Sequence, residues 1–208
     1  MILMSLVADT NQTIDSNSPK TIRKTVRTAR RKLSLAQQKQ SSILAAKSAL
    51  DKLKQLKAAK VALYLTNDGE LDTAPLIEML WQLGIQVYLP RLHPFSAGNL
   101  IFLQYEPKSA LEKNNLGIWE PKLNITQMIL PHQLDVVITP LVAFDRFGNR
   151  MGMGGGYYDR TLANWQATSK PLPIGYAHDC QQVSKLASQL WDIPLPFIIT
   201  PSKNYSFG

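Results

Sequence analysis

The chain contains 208 residues, of which 45% are hydrophobic and 18% are charged. This length and composition predict one folded domain with a full hydrophobic core, and they exclude a low-complexity chain. No apolar run approaches the length that a membrane-spanning helix needs, and one cysteine, Cys180, excludes an internal disulfide and favours a reducing, cytoplasmic environment.

The N-terminal residues differ in character from the rest of the chain. Residues 1–8 are apolar, but the run is short and no basic segment precedes it, so it does not resemble a signal peptide. Residues 9–19 are polar and contain turn-forming residues. We therefore expect residues 1–19 to be a disordered leader, or sequence translated from a start codon assigned too early, and residues 20–208 to form a single α/β domain.

The net charge of +8 is concentrated in residues 20–60, which contain thirteen Lys or Arg residues and one acidic residue, Asp51. Beyond residue 60, ten basic residues are outnumbered by twelve acidic ones. A segment so basic can bind nucleic acid, a membrane surface or a phosphorylated small molecule. The charge alone does not choose among them, and a solvated helix surface explains it equally well.

The spacing of apolar residues predicts two helices in this basic segment. In the first helix the apolar residues recur at every third or fourth position, and they are Ile22, Val26, Ala29 and Leu33. The arginines at 23, 27, 30 and 31 lie beside or opposite this stripe. Ser34 is a typical N-cap for a second helix, which we expect to end near Leu56 and to bury Ile43, Leu44, Leu50 and Leu53.

Short apolar runs then alternate with helical patterns. The expected helices are residues 73–83, 158–166 and 183–190, and the expected strands are residues 61–65, 85–90, 100–104, 117–120, 134–139, 173–177 and, as the last strand, 198–199. This alternation predicts an α/β fold of three layers, Rossmann-like, with a mostly parallel central sheet and helices on both faces. Ligands bind such sheets at the carboxyl ends of the strands, and residues 140–160 follow one of those ends.

Residues 148–160, GNRMGMGGGYYDR, include a cluster of four of the eleven glycines of the chain, at positions 152, 154, 155 and 156. Glycine lets backbone N–H groups approach a ligand closely, and a run of such groups before a helix forms an anion site. Arg150 and Arg160 can add positive charge there, and Asp159 can hold a metal ion. The alternative is a tight turn in a solvated loop, which would not need four glycines and flanking charges.

Several known sites are excluded by spacing. No G-K-[ST] sequence closes the glycine loop, and its glycines lack the G-x-G-x-x-G spacing of a dinucleotide site. The three histidines are scattered and do not have zinc-ligand spacing. A G-x-S-x-G nucleophile elbow is also absent from the sequence.

The stretch TPLVAFDRFGNRMGMGGGYYDR resembles the signature of the 5-formyltetrahydrofolate cyclo-ligase family, also called 5,10-methenyltetrahydrofolate synthetases, in its proteobacterial form. The resemblance covers residues 20–203. Further matches are the Lys20-x-x-Arg23 start, DGELDT at residues 68–73, YLP at 88–90, WDIPLP at 191–196 and TPSK at 200–203.

The resemblance implies an ATP-dependent, irreversible reaction. The formyl oxygen of 5-formyltetrahydrofolate attacks the γ-phosphate of MgATP, N10 then attacks the resulting N5-iminium phosphate, and loss of phosphate gives 5,10-methenyltetrahydrofolate. Since the substrate is the nucleophile, no catalytic Ser, Cys or His is needed. Catalysis would consist of positioning and electrostatic stabilisation of the transferring phosphoryl group.

The resemblance also implies roles for individual residues. Lys20, Arg23 and Arg150 are the expected catalytic cations, with Arg150 stabilising charge on the γ-phosphate. The expected ATP-binding residues are Lys20, Arg23, Arg150, Gly152, Met153, Gly154, Gly155, Gly156, Tyr157 and Tyr158. The expected folate-binding residues are Leu65, Glu70, Trp119 and Tyr157, and the expected Mg²⁺ ligands are Asp159 and Asp192.

Other interpretations of these residues stay open. Asp72 is expected to be the N-cap of the helix at residue 73 rather than a ligand. Asp145 could equally be a turn residue or a residue of the site. Asp192 could cap a turn before Pro194 instead of binding metal. Trp119 could belong to the core, and Tyr158 is expected to pack against the sheet. Arg91 is compatible, by charge alone, with a site for the glutamate tail of folate.

The chain departs from the family at residue 191, where Trp191 replaces a histidine common in its members. Some members also carry a basic residue inside the glycine loop, so that Arg160 or Lys20 would have to supply this charge here. Two other functions remain: a nucleic-acid-binding protein using the basic helices, and a non-catalytic folate or nucleotide module. We expect a monomer that binds neither nucleic acid nor membrane and acts on 5-formyltetrahydrofolate, including polyglutamylated forms.

Overall fold

The structure is a computed structural model, and it describes residues 18–189 and 191–207. The predicted leader, except for its last two residues, therefore lies outside the described residues. The helices are α1 (Pro19–Arg31), α2 (Leu35–Gln55), α3 (Ala74–Gln82), α4 (Tyr157–Thr161) and α5 (Trp165–Thr168), together with short 3-10 turns at Ile125–Gln127, Pro131–Gln133 and Asp179–Gln181. Among the described residues, no helix is long and apolar enough to cross a membrane.

The strands form one large sheet and two small hairpins. They are β1 (Lys60–Ala62), β2 (Gln86–Leu92), β3 (Leu100–Gln104), β4 (Leu111–Lys113), β5 (Trp119–Pro121), β6 (Met128–Ile129), β7 (Val136–Thr139), β8 (Ala143–Phe144), β9 (Arg150–Met151), β10 (Leu172–Tyr176), β11 (Phe197–Ile199) and β12 (Asn204–Ser206). The large sheet has the order β12-β11-β10-β7-β1-β2-β3-β6, while β4 pairs with β5 and β8 with β9.

The centre of the large sheet is parallel and its edges are antiparallel. Strands β11, β10, β7, β1 and β2 pair in parallel, and β12, β3 and β6 add antiparallel strands at the two sides. The prediction of a mixed α/β fold with a mostly parallel central sheet is therefore confirmed. The chain does not end on residues 198–199 as predicted, because β12 follows and pairs with β11.

The core lies on both faces of this sheet. Side chains of successive β1 residues point to opposite faces, so Val61 packs with α2 and α3 while Ala62 packs toward α4 and α5. Helix α1 packs separately, with Val26 against Val142 and Met151 of the β8–β9 hairpin. That packing places α1 beside the glycine loop.

Hydrogen bonds at their first turns fix the starts of both N-terminal helices. Ser18 accepts a hydrogen bond from the backbone N–H of Thr21 at 3.3 Å. Ser34 and Gln37 form a reciprocal capping box at the start of α2. The predicted N-cap at residue 34 is confirmed, and the predicted first helix matches α1.

The predicted apolar face of α2 is partly correct: Leu53 is fully buried and Leu50 packs partly buried against the core, but the prediction is wrong for the other two residues. Ile43 and Leu44 are 37% and 43% exposed, whereas Ala45, Ala46 and Ala49 are fully buried. Small side chains let the helix axis approach the sheet closely, so the buried face is lined by alanine together with Leu53. A search for large apolar residues therefore selects a neighbouring face of this helix.

Three other predicted elements differ from the structure. The helix expected at 158–166 is two short helices, α4 and α5, and the strand expected at 117–120 is β5, in the separate hairpin with β4. Within the described part of 183–190 there is no helix. The amides of Val183 and Leu186 donate instead to the Phe144 carbonyl at 2.8 Å and the Asp145 carboxylate at 2.9 Å, which ties this segment to the β8–β9 hairpin.

Candidate active site

A cleft of about 1330 Å³ lies at the carboxyl ends of β1, β2 and β7. Helix α1, the loop after β1, the β4–β5 hairpin, the glycine loop and residues around 189–194 form its walls. Pockets for a single small ligand usually occupy about 300–1,000 Å³. The cleft is therefore large enough for two ligands side by side, at the position where α/β sheets bind them.

The glycine loop, residues 152–156, forms one wall of the cleft. None of its five backbone amides donates a hydrogen bond to another described residue. Gly154 has φ +102° and Gly156, the N-cap of α4, has φ +63°, which a residue with a side chain adopts only with strain. The loop thus presents several unpaired donors to the cleft, as an anion site requires.

Helix α1 is joined to this loop by Arg23, whose Nε donates to the Gly152 carbonyl at 2.8 Å. Arg23 lines the cleft, as predicted for a phosphate ligand. Lys20 lies one turn earlier on the same helix, is exposed, and is not among the residues that line the cleft. The structure therefore brings Arg23, but not Lys20, to the glycine loop.

Arg150 lies in strand β9 with its side chain only 4% exposed, and its Nη2 donates to Asp159 Oδ1 at 2.7 Å. Burial lowers the pKa of Arg150, and the nearby carboxylates of Asp159 and Asp192 oppose that shift. Arg150 Nε is buried and has no hydrogen-bond partner among the described residues. A guanidinium held in this way is a preformed positive charge in the cleft wall, with donor capacity unused.

Asp159 and Asp192 both line the cleft next to Arg150. Asp192 Oδ2 accepts a hydrogen bond from the backbone N–H of Gln189 at 2.8 Å, as its interpretation as a turn residue predicts. No cluster of three or more His, Cys, Asp or Glu side chains that could hold a metal occurs in the described residues. Since Mg²⁺ commonly binds one or two carboxylates plus the phosphates of a nucleotide, these two carboxylates fit an ion shared with ATP.

Glu70 and Leu65 line the cleft from the loop that follows β1. Burial raises the pKa of Glu70 to about 7, although the charge of Arg30 and a hydrogen bond from the Asn67 amide act against the shift. That bond joins Asn67 N to Glu70 Oε2 at 3.1 Å. The other carboxylate oxygen remains available to a donor in the cleft.

The four aromatic side chains predicted or noted at the site all line the cleft: Trp119, Tyr157, Tyr158 and Trp191. Trp119 is 52% exposed and Trp191 is 71% exposed, so Trp119 does not belong to the core. Tyr158 packs with Val137 and Leu162 against the sheet, as predicted, and burial raises its pKa. Tyr157 contacts the same cluster from a partly buried position.

Asp68, which the sequence analysis did not assign a role, binds three arginines of α1. It accepts from Arg27 Nε at 2.7 Å and from Arg30 Nη2 at 3.1 Å, and it also pairs with Arg31. Arg30 further donates to the Asp68 backbone carbonyl at 3.0 and 2.7 Å. Asp68 thus partly neutralises the basic face of α1. The spacing of Arg27, Arg30 and Arg31 (i, i+3, i+4) places them on one side of the helix, and this was the sequence signal for a shared acidic partner.

Arg160 was considered a substitute phosphate ligand, but it holds backbone carbonyls. Its Nε donates to Gly98 O at 2.8 Å and its Nη2 donates to Gly155 O. An added Cβ at Gly98 or Gly156 would meet the Arg160 guanidinium, so a side chain at either position would displace Arg160 from its present place. Arg160 therefore connects the glycine loop to the turn between β2 and β3.

The structure also decides three open alternatives. Asp72 accepts from the Ala74 amide at 3.0 Å, but the N-cap of α3 is Thr73, so the predicted N-cap is wrong by one residue. Asp145 is buried and accepts from the Phe147 and Asn149 amides at 2.9 and 3.1 Å, which makes it a turn residue. Arg91 does not line the cleft, because its guanidinium is bound by Glu112 and Glu120.

Comparison with known proteins gives a consistent result. The model of the 5-formyltetrahydrofolate cyclo-ligase family matches residues 15–201. A 5-formyltetrahydrofolate cyclo-ligase of Escherichia coli K12 is 56% identical over 178 residues, which is 86% of this chain and 97% of the relative. The corresponding protein of Haemophilus influenzae is 48% identical over 84% of this chain and 92% of the relative.

Solved structures show the same relationship. A 5,10-methenyltetrahydrofolate synthetase of Aquifex aeolicus superposes with a TM-score of 0.76 at 28% identity, covering 90% of this chain and 92% of that chain. One from Mycoplasma pneumoniae gives a TM-score of 0.70 at 25% identity, covering 88% of this chain and 99% of that chain.

Proposed function

The chain belongs to the 5-formyltetrahydrofolate cyclo-ligase family of enzymes, and from this premise we propose that it converts 5-formyltetrahydrofolate to 5,10-methenyltetrahydrofolate using MgATP. One observation carries the ATP part of the proposal. Five backbone amides without a partner in the described part of the chain lie next to the buried Arg150, in a cleft that has space for a second ligand beside Glu70. We infer that the triphosphate binds at the amides of the glycine loop and that the reduced pterin binds beside Glu70.

The proposed chemistry begins at the formyl oxygen, which attacks the γ-phosphorus while the bond to the bridging β–γ oxygen breaks and ADP leaves. The lone pair of N5 moves toward the formyl carbon, which gives an N5-iminium phosphate. N10 attacks this carbon and loses its proton, and the C–O bond then breaks to release phosphate. Both nucleophiles come from the substrate, so the enzyme's contribution is orientation and charge stabilisation.

Arg150 is proposed to stabilise the charge that develops on the transferring phosphoryl group. It is rigidly held, and its guanidinium has a nitrogen without a partner among the described residues. Preorganised donors in a water-poor site stabilise a transition state more than donors that must first reorganise. Arg23 is proposed to bind phosphate from the same wall, and Lys20 to reach the outer phosphates from the preceding turn of α1.

Asp159 and Asp192 are proposed to hold Mg²⁺ together with the phosphates. The bound ion would neutralise phosphate charge and align the γ-phosphoryl group. This arrangement would require an exchange of partners: Asp159, which pairs with Arg150 in this structure, would hold the ion, and Arg150 would hold phosphate. The two charges then remain compensated before and after the exchange.

Glu70, Leu65, Trp119 and Tyr157 are proposed to bind the folate. A carboxylate accepts hydrogen bonds from the donor edge of a pterin, and the aromatic and aliphatic side chains contact its ring faces. Polyglutamylated forms are proposed to bind with the tail in the open mouth of the cleft. We also propose that the enzyme is monomeric and cytoplasmic. We further propose that it binds neither nucleic acid nor membrane, and the pairing of the α1 arginines with Asp68 supports this, because it partly neutralises the basic helix.

The test is a spectrophotometric assay of methenyltetrahydrofolate formation from 5-formyltetrahydrofolate, with ATP and Mg²⁺ each present or omitted. Turnover is expected only with all three, with one ADP released per ring closed. Binding of both ligands without turnover would instead identify a non-catalytic module. Binding of DNA or RNA with strong salt dependence, in the absence of turnover, would favour the nucleic-acid alternative.

A further inference from the structure

The β4–β5 hairpin covers one side of the cleft and is held in an unusual way. Its tip contributes Asn114, Leu116 and Ile118 to the cleft wall, and its second strand contributes Trp119. Among its residues 111–121, the buried ones are Glu120 and Pro121, while Leu116 is 59% exposed. Apolar packing therefore contributes little to holding this hairpin on the body of the protein.

Arg91 of strand β2 holds the base of the hairpin. A single nitrogen, Nη1, lies 2.6 Å from Glu112 Oε1 and 3.1 Å from Glu120 Oε1, and it donates to the Pro121 carbonyl at 2.7 Å. The Arg91 side chain is 15% exposed and Glu120 is 6% exposed, so the central pair is shielded from water. Removing one partner of such a buried ion pair strongly destabilises the structure, because the other charge is left buried without compensation.

Glu120 connects the ion pair with Arg91 to the tip of the hairpin. Its second oxygen, Oε2, accepts from the Leu92 amide at 3.1 Å and from Asn114 Nδ2 at 3.0 Å. The Asn114 side-chain oxygen in turn accepts from the amides of Leu116 and Ile118 at 2.9 and 3.1 Å. A continuous chain of polar contacts thus runs from β2 to the residues of the hairpin that line the cleft.

We propose that Arg91 is a positioning residue for the pterin side of the site, acting through Glu120 and Asn114 to place the hairpin and Trp119 over the bound folate. This inference rests on the proposed function, since it assigns the hairpin side of the cleft to the folate. Arg91 itself does not line the cleft. Its loss affects folate binding because the hairpin swings away, while the glycine loop keeps its own contacts.

The test compares Arg91→Met and Arg91→Lys with the matched control Arg146→Met, which alters an exposed arginine outside the cleft. For Arg91→Met we expect KM for 5-formyltetrahydrofolate to rise roughly tenfold, with KM for ATP and kcat changed by no more than about twofold. Arg91→Lys should restore part of the loss, because an ammonium group offers three donors but ends one bond short of Nη1. The control should behave as the wild type.

Limited trypsin digestion gives a readout independent of turnover. Lys113 is exposed on the hairpin, and cleavage after it, identified by mass spectrometry, should be roughly tenfold faster in Arg91→Met and unchanged in Arg146→Met. Unchanged cleavage at Lys113, or equal increases in both KM values, would overturn the positioning role. If Arg91→Met does not fold, Asn114→Ala, which keeps the Arg91 ion pairs and releases the tip, must show the same selective rise in KM for the folate.

Failure of the proposed function and failure of the positioning role of Arg91 give different results. A wild type without MgATP-dependent turnover contradicts the proposed function, and the digestion still reports whether Arg91 holds the hairpin. An active wild type with an unaffected Arg91→Met variant leaves the function standing and removes the positioning role.

Discussion

Arg150 Nη2 donates to Asp159 Oδ1 at 2.7 Å, so the two charged groups closest in sequence to the glycine loop are bound to each other. Both side chains line the cleft, and neither is left as an isolated charge before a ligand arrives. Isolated buried charges are costly, whereas a paired arginine and carboxylate can each exchange partner when phosphate and metal enter together. The pair is therefore compatible with the proposed binding of MgATP at this position.

The first prediction concerns Arg150→Ala. The variant should lose roughly 100-fold or more in kcat, since a preorganised donor to the transferring phosphoryl group is removed. Because Arg150 is buried in β9 rather than lying in a solvated loop, unfolding in urea should also show a loss of about 2 kcal/mol. A variant that keeps near-normal turnover contradicts the role assigned to this residue, and Arg146→Met is the matched control for a lost arginine.

The second prediction compares Gly154→Ala with Gly84→Ala. Both glycines have positive φ, +102° and +70°, so both substitutions should destabilise the fold by about 1–2 kcal/mol. Gly84 ends α3 outside the cleft and has open space around it, so its variant should keep the ATP dependence of the wild type. Gly154→Ala should raise KM for ATP about tenfold because the amides can no longer converge. Equal kinetics in the two variants would show that the loop does not bind phosphate.

The third prediction concerns pH and Glu70, whose pKa of about 7 lies above the ordinary value of 4.5. If the carboxylate accepts hydrogen bonds from the pterin, kcat/KM for the folate should rise with pH through about 7, and Glu70→Gln should abolish this rise along with most of the folate affinity.

The stability effect of Glu70 has the opposite sign. A group whose folded-state pKa is raised contributes stability that is present below its unfolded value and is lost as the pH rises through the folded value. Between pH 5 and 8 the wild type should therefore lose stability relative to Glu70→Gln, by no more than about 3 kcal/mol. Urea unfolding of both proteins at these pH values measures the difference, and parallel curves would contradict the shift.

The fourth prediction concerns Asp68→Asn. Burial raises the pKa of Asp68, but hydrogen bonds from Arg27 and Arg31 and the nearby arginine charges outweigh this effect and leave the pKa lowered. A lowered pKa gives stability that is present above the ordinary value of 3.8 and lost as the pH falls through the folded value. The wild type should thus lose stability below about pH 4 more steeply than Asp68→Asn, measured by circular dichroism.

Asp68→Asn should also weaken ATP binding, although we expect residue 68 to act indirectly, through helix α1. The ion pairs hold α1, and α1 holds Arg23 against Gly152, so release of the helix should raise KM for ATP. The matched control is Asp135→Asn, which removes the partner of Lys170 at the other end of the sheet and should leave KM for ATP unchanged.

The sequence allowed much of this site to be predicted because the informative residues are close together in the chain. The glycine loop, Arg150 and Asp159 lie within a dozen positions, and their backbone conformations follow from local rules. The helices α1 and α2 were predictable for the same reason, through Ser34 and the apolar spacing. Both Arg23 and Glu70 were placed by resemblance to a family rather than by local rules.

The features that were missed depend on contacts between distant segments. Asp68 looks like an ordinary turn residue before Gly69, and only the fold brings the α1 arginines to it. Arg91 and Glu120 likewise meet only when the hairpin folds against β2. The error at Ile43 and Leu44 of α2 has another cause, since the burial of Ala45 and Ala49 reflects the close approach of helix and sheet, which residue size alone does not reveal.

The continuity of the cleft has a consequence for inhibitor design. No described element separates the glycine loop from Glu70, so one molecule carrying a phosphate mimic and a pterin-like ring could occupy both halves at once. Joining the two fragments turns the second binding event into an intramolecular one, with an effective concentration in the millimolar range for a short linker that spans the gap. Such a compound would combine contacts of the proposed folate half with charge recognition at the proposed nucleotide half.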